Sequence, residues 1–238
     1  MFLYYPTVEE AQKAVQAQTP FFRTFLTAFV GSRKVIEALD KLSEVTPVLI
    51  FSGVIRNYLI GEWASIRDLD IVLASPLTLD ILRVLKNYQY KINSFKGVKV
   101  RIDGCSIDAW LLGNTWGILH NKIKPTANAL IKTAFFNFSA IVFDYNHQKF
   151  IFDDAFIDFL MTRKMEIVLP DNPNIPLCLF NIYYYHKTYG FGIGATVKDW
   201  IKKKYNGLVN FDMVQLKHLG QVVYPSHDIY RFYARYIY

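Results

Sequence analysis

Two neighbouring segments constrain the fold of this chain more than any other feature in it. Phe51-Ser-Gly-Val-Ile-Arg-Asn-Tyr-Leu-Ile-Gly61 ends a short apolar strand in a small-residue turn and begins a helix there. Arg67-Asp-Leu-Asp-Ile-Val-Leu73 then opens a second strand. A helix N-terminus presents backbone N–H groups without helical partners and the positive end of the helix dipole, which together bind phosphate. Ser52 and Gly53 leave room for a triphosphate against the backbone, Ser52 adds a hydroxyl donor, and Arg56 one turn further can reach the same anion. Side chains alternate along a strand, so Asp68 and Asp70 share one face, roughly 6.6 Å apart at the backbone, while Leu69, Ile71 and Leu73 face the core. Rotamers can converge two such carboxylates on a pair of hard divalent ions about 3.5–4 Å apart. Asp108, mid-strand in the apolar stretch Ser106-Ile-Asp-Ala-Trp-Leu-Leu112, supplies a third carboxylate at a place where an unpaired Asp is costly.

Each of these pieces is common alone: most Asp-x-Asp pairs cap turns, and most mid-strand Asp residues face solvent. Their conjunction specifies two-metal nucleotidyl transfer. Asp68, Asp70 and Asp108 are then the expected catalytic and metal-ligating residues for two Mg²⁺ ions, which take oxygen ligands and substrate phosphates. Ser52, Gly53 and Arg56 are expected to hold the β- and γ-phosphates of an NTP, with Lys132 a weaker candidate for charge at the transferring phosphoryl group.

The rest of the 238-residue sequence fits a folded intracellular protein. A hydrophobic fraction of 52% with 16% aromatics excludes a disordered tail, a fibre or a low-complexity linker. Cys105 and Cys178 are too few and too separated for a disulfide scaffold, which points to a reducing, cytoplasmic setting. No apolar run approaches the ~18–20 residues of a membrane span, and MFLYYPTVEE lacks the basic-then-apolar order of a secretory signal. The net charge of +7 is uneven: residues 1–120 hold 13 basic and 11 acidic side chains, and residues 121–238 hold 14 and 9. A basic second half suits nucleic acid or nucleotide phosphates, although a solvated surface explains charge alone equally well.

Hydrophobic periodicity predicts an α+β first part and an all-α second part. Two helices are expected over 7–43, with Thr7 and Glu10 at capping-box spacing and Pro20 between them. Strands are expected at Val48–Phe51, Leu69–Ala74, Val98–Ile102, Ser106–Leu112, Phe138–Phe143 and Lys149–Phe152, with a helix over Thr78–Asn87. Asp103-Gly104 signals a type I′ hairpin. After Asp153 helices are expected at about 154–163, 175–189, 196–205, 211–220 and 226–236. The proline cluster Pro170, Pro173, Pro176 suggests a division into residues 1–168 and 169–238.

The order small-small, then Asp-hydrophobic-Asp-hydrophobic, resembles the polymerase-β-like nucleotidyltransferase superfamily. Ser52-Gly-Val-Ile-Arg-Asn57 through Gly61 and Asp68-Leu-Asp70 look most like the head domain of tRNA nucleotidyltransferases (CCA-adding enzymes) and bacterial poly(A) polymerases, where the motif is Gly-Gly-x-Val-Arg-Asp, Leu-Gly, Asp-x-Asp. Phe135 to Asp144 with Phe150 to Asp153 is similar to the family's next strand pair, and Ile175 to Asn181 to its neck helix, so the likeness spans about residues 45–195. It implies a mixed sheet flanked by helices, followed by a small helical region. It also implies transfer of NMP from NTP to an acceptor hydroxyl, most simply an RNA (tRNA) 3′ end, with RNA docking on the basic C-terminal half. The departures are specific. Ser52 and Asn57 replace Gly and Asp, and Thr133, Ala134 and Phe135 stand where the family has two arginines and an Asp. The neck motif Glu-Asp-x-x-Arg, which pairs with the incoming base, is represented by Asn174, Ile175 and Cys178. Metal site and phosphate cradle are therefore kept while the base reader is not. A small-molecule or protein acceptor, or a catalytically silent nucleotide or RNA binder, are the alternatives.

Other features carry less. The five histidines have no metal-ligand spacing, and Ser226-His227-Asp228 is contiguous, which is wrong for a triad. Gly190-Phe-Gly-Ile-Gly194 follows a helix and predicts a helix stop. Lys202-Lys-Lys204 can track a nucleic-acid backbone or simply solvate a helix end, and one of Tyr183, Tyr184 and Tyr185 is free to stack a base.

Overall fold

The computed structural model describes residues 7–30, 32–63, 68–75, 79–86, 88–92 and 97–237. Three helices, α1 (Val8–Ala17), α2 (Thr19–Val30) and α3 (Arg33–Val45), precede the first strand. Thr7 caps α1 by accepting the Glu10 N–H at 3.2 Å. Pro20 lies in the first turn of α2 rather than between helices, where its missing N–H costs nothing; the break falls at Gln18.

Strand β1 (Val48–Phe51) leads through Ser52 into α4 (Gly53–Ile60), which Gly61 closes at φ 78°. β2 (Asp68–Leu73) and α5 (Leu79–Leu85) follow; Arg67, Thr78 and Asn87, used in the sequence expectation, lie outside the described residues. β3 (Gln89–Ile92), β4 (Val98–Ile102) and β5 (Cys105–Leu111) form a meander. The β4–β5 turn has Asp103 at φ 46° and Gly104 at φ 87°, the two positive angles that a type I′ turn demands. Next come α6 (Trp116–Asn121), α7 (Ala127–Ile131), β6 (Ile141–Asp144) and β7 (Lys149–Phe152).

The expected strand at 138–143 therefore begins later, because Asn137–Ser139 is a 3₁₀ turn. Asn137 causes this: it is 1% exposed, its amide donates to Lys164 O at 3.0 Å, and its Oδ1 accepts from Phe138 N and Glu166 N. A side chain bonded so fully to backbone replaces the ladder that a strand would supply.

Among the described residues the main sheet has seven strands in the order β3-β4-β5-β2-β1-β6-β7, parallel only between β2 and β5. One face is covered by α3 and α5, where Leu39, Leu42 and Leu85 meet Ile71, Val100, Ile107 and Ala109. The alternate residues of β2, β4 and β5 point the other way.

The chain then becomes helical: α8 (Asp154–Thr162), α9 (Ile175–Tyr189), α10 (Ala195–Lys204), α11 (Phe211–Leu219) and α12 (Ser226–Ile237). A two-stranded parallel pair, β8 (Lys164–Met165) with β9 (Gly192–Ile193), interrupts them. Gly190 stops α9 in the left-handed region at φ 69°, as a helix stop requires. Ser226 is the first helical residue of α12, and its hydroxyl donates to Asp212 Oδ1 at 2.6 Å. The helical core centres on Leu179, Phe180, Phe211 and Tyr233, whose phenol donates to Leu179 O. Gln215, fully buried, accepts from Val223 N and Tyr224 N and donates to Tyr224 O, so every polar atom there is satisfied. No described helix is long and apolar enough to cross a membrane.

Candidate active site

Phosphate chemistry at this site begins with the turn at Ser52. Its backbone has φ 50° and ψ −93°, outside the regions that L-residues favour, and its N–H is tied to Ile141 O at 3.0 Å. The helix α4 starts at Gly53, where an added Cβ would meet nothing within 4 Å. The first turn of α4 thus faces open space with its N–H groups unused by the helix.

Arg56 follows on the same helix and is 5% exposed. Its Nε donates to Asn57 Oδ1 at 2.8 Å and its Nη1 to Tyr185 Oη at 3.4 Å. The guanidinium also lies 4.9 Å from the Tyr185 ring centroid and 5.2 Å from that of Phe138. Aromatic faces compensate a cation only in part, by about 2 kcal/mol when desolvated. Among the described residues no carboxylate lies within salt-bridge distance of it. A buried guanidinium supported by rings and neutral oxygens retains its charge for an incoming anion.

The three expected carboxylates come together on the sheet face opposite α3 and α5. Asp70 is the direct register partner of Asp108 across the parallel β2–β5 pair, and Asp68 stands opposite Ser106. All three are partly buried. Burial first, then the charges of Asp68 and Asp108, push the Asp70 carboxyl up to about 7, against the pull of Lys99 and Arg56. Lys99, the register partner of Asp108 on β4, places its Nζ 3.2 Å from Asp108 Oδ2.

This donor set suits a divalent cation: its atoms are hard carboxylate oxygens, and their mutual repulsion calls for positive charge between them. Among the described residues no three His, Cys, Asp or Glu side chains already converge as a metal cage. Part of the reason is visible in Lys99, which draws Asp108 toward β4.

Ser52, Gly53, Arg56, Asp68 and Asp70 line one cleft of about 310 Å³. Its other wall comes from the helical region: Asn181, Tyr184, Tyr185 and Tyr189 on α9, and His218 on α11. Of the three consecutive tyrosines, Tyr183 is buried in the core and the other two reach the cleft. Asp108 lines an adjoining pocket of about 370 Å³ instead.

Lys132 is not brought to the site. It caps the C-terminus of α7 with its side chain exposed and lines neither cavity. The neck-motif positions are also turned to other uses. Asn174 is the N-cap of α9, accepting from Leu177 N at 3.2 Å, and Cys178 is buried with its thiol pushed up to about 12 by desolvation. The residues that sequence reasoning missed are Lys99, Asn181, Tyr189 and His218. Alternation along β4 marks Lys99 as facing the carboxylates, whereas the other three reach the cleft only through the packing of α9 and α11.

No family model matches the chain, and no curated protein matches it. Solved structures do. A CCA-adding enzyme in complex with ATP superposes with a TM-score of 0.63 at 15% identity, over 86% of this chain and 52% of that one. The Thermotoga maritima CCA-adding enzyme bound to tRNA gives 0.62 at 15% identity, over 86% and 51%. A tRNA-processing enzyme with CTP gives 0.61 at 13% identity, over 81% and 54%. The chain spans about half the length of these structures. The fold is that of the solved CCA-adding enzymes, as the motif resemblance implies.

Proposed function

We propose that this protein is a metal-dependent nucleotidyltransferase that moves a nucleoside monophosphate from an NTP to a hydroxyl at an RNA 3′ end, with tRNA the leading acceptor. One observation carries the reading: a helix N-terminus, a buried guanidinium with no carboxylate partner among the described residues, and the carboxylates Asp68 and Asp70 meet at a single cleft, with Asp108 beside Asp70 on the next strand. The fold of enzymes solved with ATP, CTP and tRNA supports it.

The N–H groups at Gly53, the Ser52 hydroxyl and Arg56 bind the β- and γ-phosphates. Tyr184 and Tyr189 offer ring faces to the base, and Asn181, whose amide has no hydrogen bond among the described residues, offers a donor and an acceptor to its edge. Asp68, Asp70 and Asp108 would hold Mg²⁺, which supplies charge neutralisation at the phosphates and a lowered pKa for the attacking hydroxyl. The acceptor oxygen forms its bond to the α-phosphorus, the α–β bridging oxygen leaves with pyrophosphate, and the hydroxyl proton passes to solvent. Residues 1–168 form the nucleotidyltransferase head in this reading and 169–238 a neck-like helical region, with the cleft between them. A cytoplasmic, RNA-processing role follows from the same reading.

The test is label transfer. The protein is incubated with Mg²⁺, each α-labelled NTP in turn, and total RNA or protein lysate, beside a double Asp68→Ala, Asp70→Ala variant. Label in RNA from the unaltered protein alone is the expected result. Label in protein assigns the acceptor to another class, and no label in any acceptor ends the catalytic reading.

A further inference from the structure

The adjoining pocket stands apart from the nucleotide cleft in both chemistry and position. It holds about 370 Å³, within the range of small-molecule sites, and among the described residues that line it Asp108 is the charged one. Its walls are Phe51, Trp110 and Trp116, with the amides of Asn114 and Asn172 among them. A pocket with aromatic walls and side-chain amides, whose charged group among the described lining residues is a carboxylate, suits a neutral flat heterocycle and not a triphosphate.

The aromatic walls are held in place. Trp110 donates its indole N–H to Thr115 Oγ1 at 3.1 Å and meets Phe51 edge-on, with centroids 6.1 Å apart at 88°. Trp116 is backed on one face by His120 at 4.5 Å and 12°, which leaves a single face for a ligand. The Asn114 amide and the Trp116 indole N–H have no hydrogen-bond partner among the described residues. Both groups border the cavity and can bond a ligand in place of solvent.

Position gives the pocket its role. Asp70 and Asp108 are register partners on β2 and β5, yet Asp70 lines the cleft and Asp108 the pocket. The carboxylate row therefore runs between the two cavities. Displacement at phosphorus places the attacking and leaving oxygens in line, so nucleophile and pyrophosphate must approach from different sides. With the β- and γ-phosphates at Ser52, Gly53 and Arg56, the open approach to the α-phosphorus lies on the Asp108 side.

We infer that the pocket walled by Phe51, Trp110 and Trp116 seats the 3′-terminal nucleobase of the RNA acceptor, so that its ribose hydroxyl meets Asp108. The inference rests on the RNA-acceptor reading above and specifies where that acceptor ends. The terminal ribose oxygen bonds to the α-phosphorus, pyrophosphate departs through the cleft, and the hydroxyl proton goes to solvent. The Asn114 amide reads the edge of the seated base while Trp116 stacks on its face.

The test uses a short single-stranded RNA with 2-aminopurine at its 3′ end, whose fluorescence falls on stacking. Unaltered protein quenches it and adds label from NTP. Trp116→Leu is expected to abolish the quench and raise the oligonucleotide KM about tenfold or more, the size of one base–aromatic stack. The NTP KM stays within about twofold, and Trp116→Tyr restores the quench. Asn114→Ala, at a side chain with no hydrogen bond among the described residues, raises the oligonucleotide KM without disturbing the fold and covers the case in which Trp116→Leu unfolds. Unchanged quench and oligonucleotide KM in these variants, with labelling intact, overturn the pocket and leave nucleotidyl transfer to RNA standing. Absence of any RNA labelling by the unaltered protein overturns the RNA-acceptor reading and the pocket with it.

Discussion

Ser52 occupies a conformation that a glycine would adopt at lower cost. At φ 50° and ψ −93° its Cβ crowds the backbone, and such strain costs about 1–3 kcal/mol where the surroundings enforce it. Ser52→Gly should therefore stabilise the protein by about 1 kcal/mol, a rise of roughly 2–4 °C in thermal melting for a chain of this size. The hydroxyl is lost in the same change, so the KM for NTP should rise a few-fold. A lower melting temperature would show that Ser52 is not strained. Asp70 is in the opposite position, because charge and not geometry is its cost. Its carboxyl is pushed up to about 7, so the folded state holds that proton more tightly than the unfolded chain does. Its stabilising share is complete below about pH 4 and is lost as pH rises through about 7. Asp70→Asn should then melt several degrees higher than the unaltered protein in metal-free buffer at pH 8. The difference should shrink toward zero at about pH 4, and with Mg²⁺ restored this variant should transfer no label. A pH-independent difference would remove the electrostatic account. Of the expected site residues, Ser52, Gly53, Arg56, Asp68, Asp70 and Asp108 are local to motifs whose spacing can be read along the chain, and the fold does place them together. Lys132 has no such motif around it, and only the end of α7 decides where its side chain goes.

At the scale of elements, Glu166 joins the two parts of the chain. Its carboxylate accepts from Ala195 N at 3.0 Å and Thr196 N at 2.9 Å, capping α10 from a distant loop. An acidic group at a helix N-terminus also meets the positive end of the dipole. Glu166→Ala should cost about 1–2 kcal/mol, with Glu166→Gln losing less because it keeps an acceptor. Equal melting temperatures for Glu166→Ala and the unaltered protein would show that the cap contributes nothing. Long, strongly patterned elements were legible in the sequence: α9 spans Ile175–Tyr189 as expected, and Asp103-Gly104 makes the predicted turn. The omissions have a common cause. β3 has four residues, all exposed, so its Tyr90/Ile92 alternation is too short to stand out, and β8 and β9 have two residues each. Their pairing is set by partners far along the chain, which periodicity does not encode. The 3₁₀ turn at Asn137 belongs with them, since its cause is a bond to Lys164 and Glu166 across 27 and 29 residues.

Across the whole molecule, the net charge of +7 becomes informative once its placement is known. The excess lies in the second half, and α10 carries Lys198, Lys202, Lys203 and Lys204, all exposed. An RNA acceptor has its reacting end at the carboxylates, so its phosphates must continue over some basic surface, and cations that touch no substrate would not change its affinity. Phosphate contacts leave a signature that solvation does not: each contact with a single strand adds about 0.7 to the slope of log affinity against log salt. A Lys202→Gln, Lys203→Gln, Lys204→Gln variant should bind single-stranded RNA more weakly at low salt and show a slope smaller by about 1–2. Its NTP KM should be unchanged, because none of the three lysines lines the cleft. An unaltered salt slope would assign this lysine run to helix solvation and move the RNA path to another face. Since Glu166 of the head caps the first turn of α10, the run is fixed relative to the head. A reduced slope together with the Trp116 result would mark both ends of one RNA path, from the aromatic pocket to the lysines of α10.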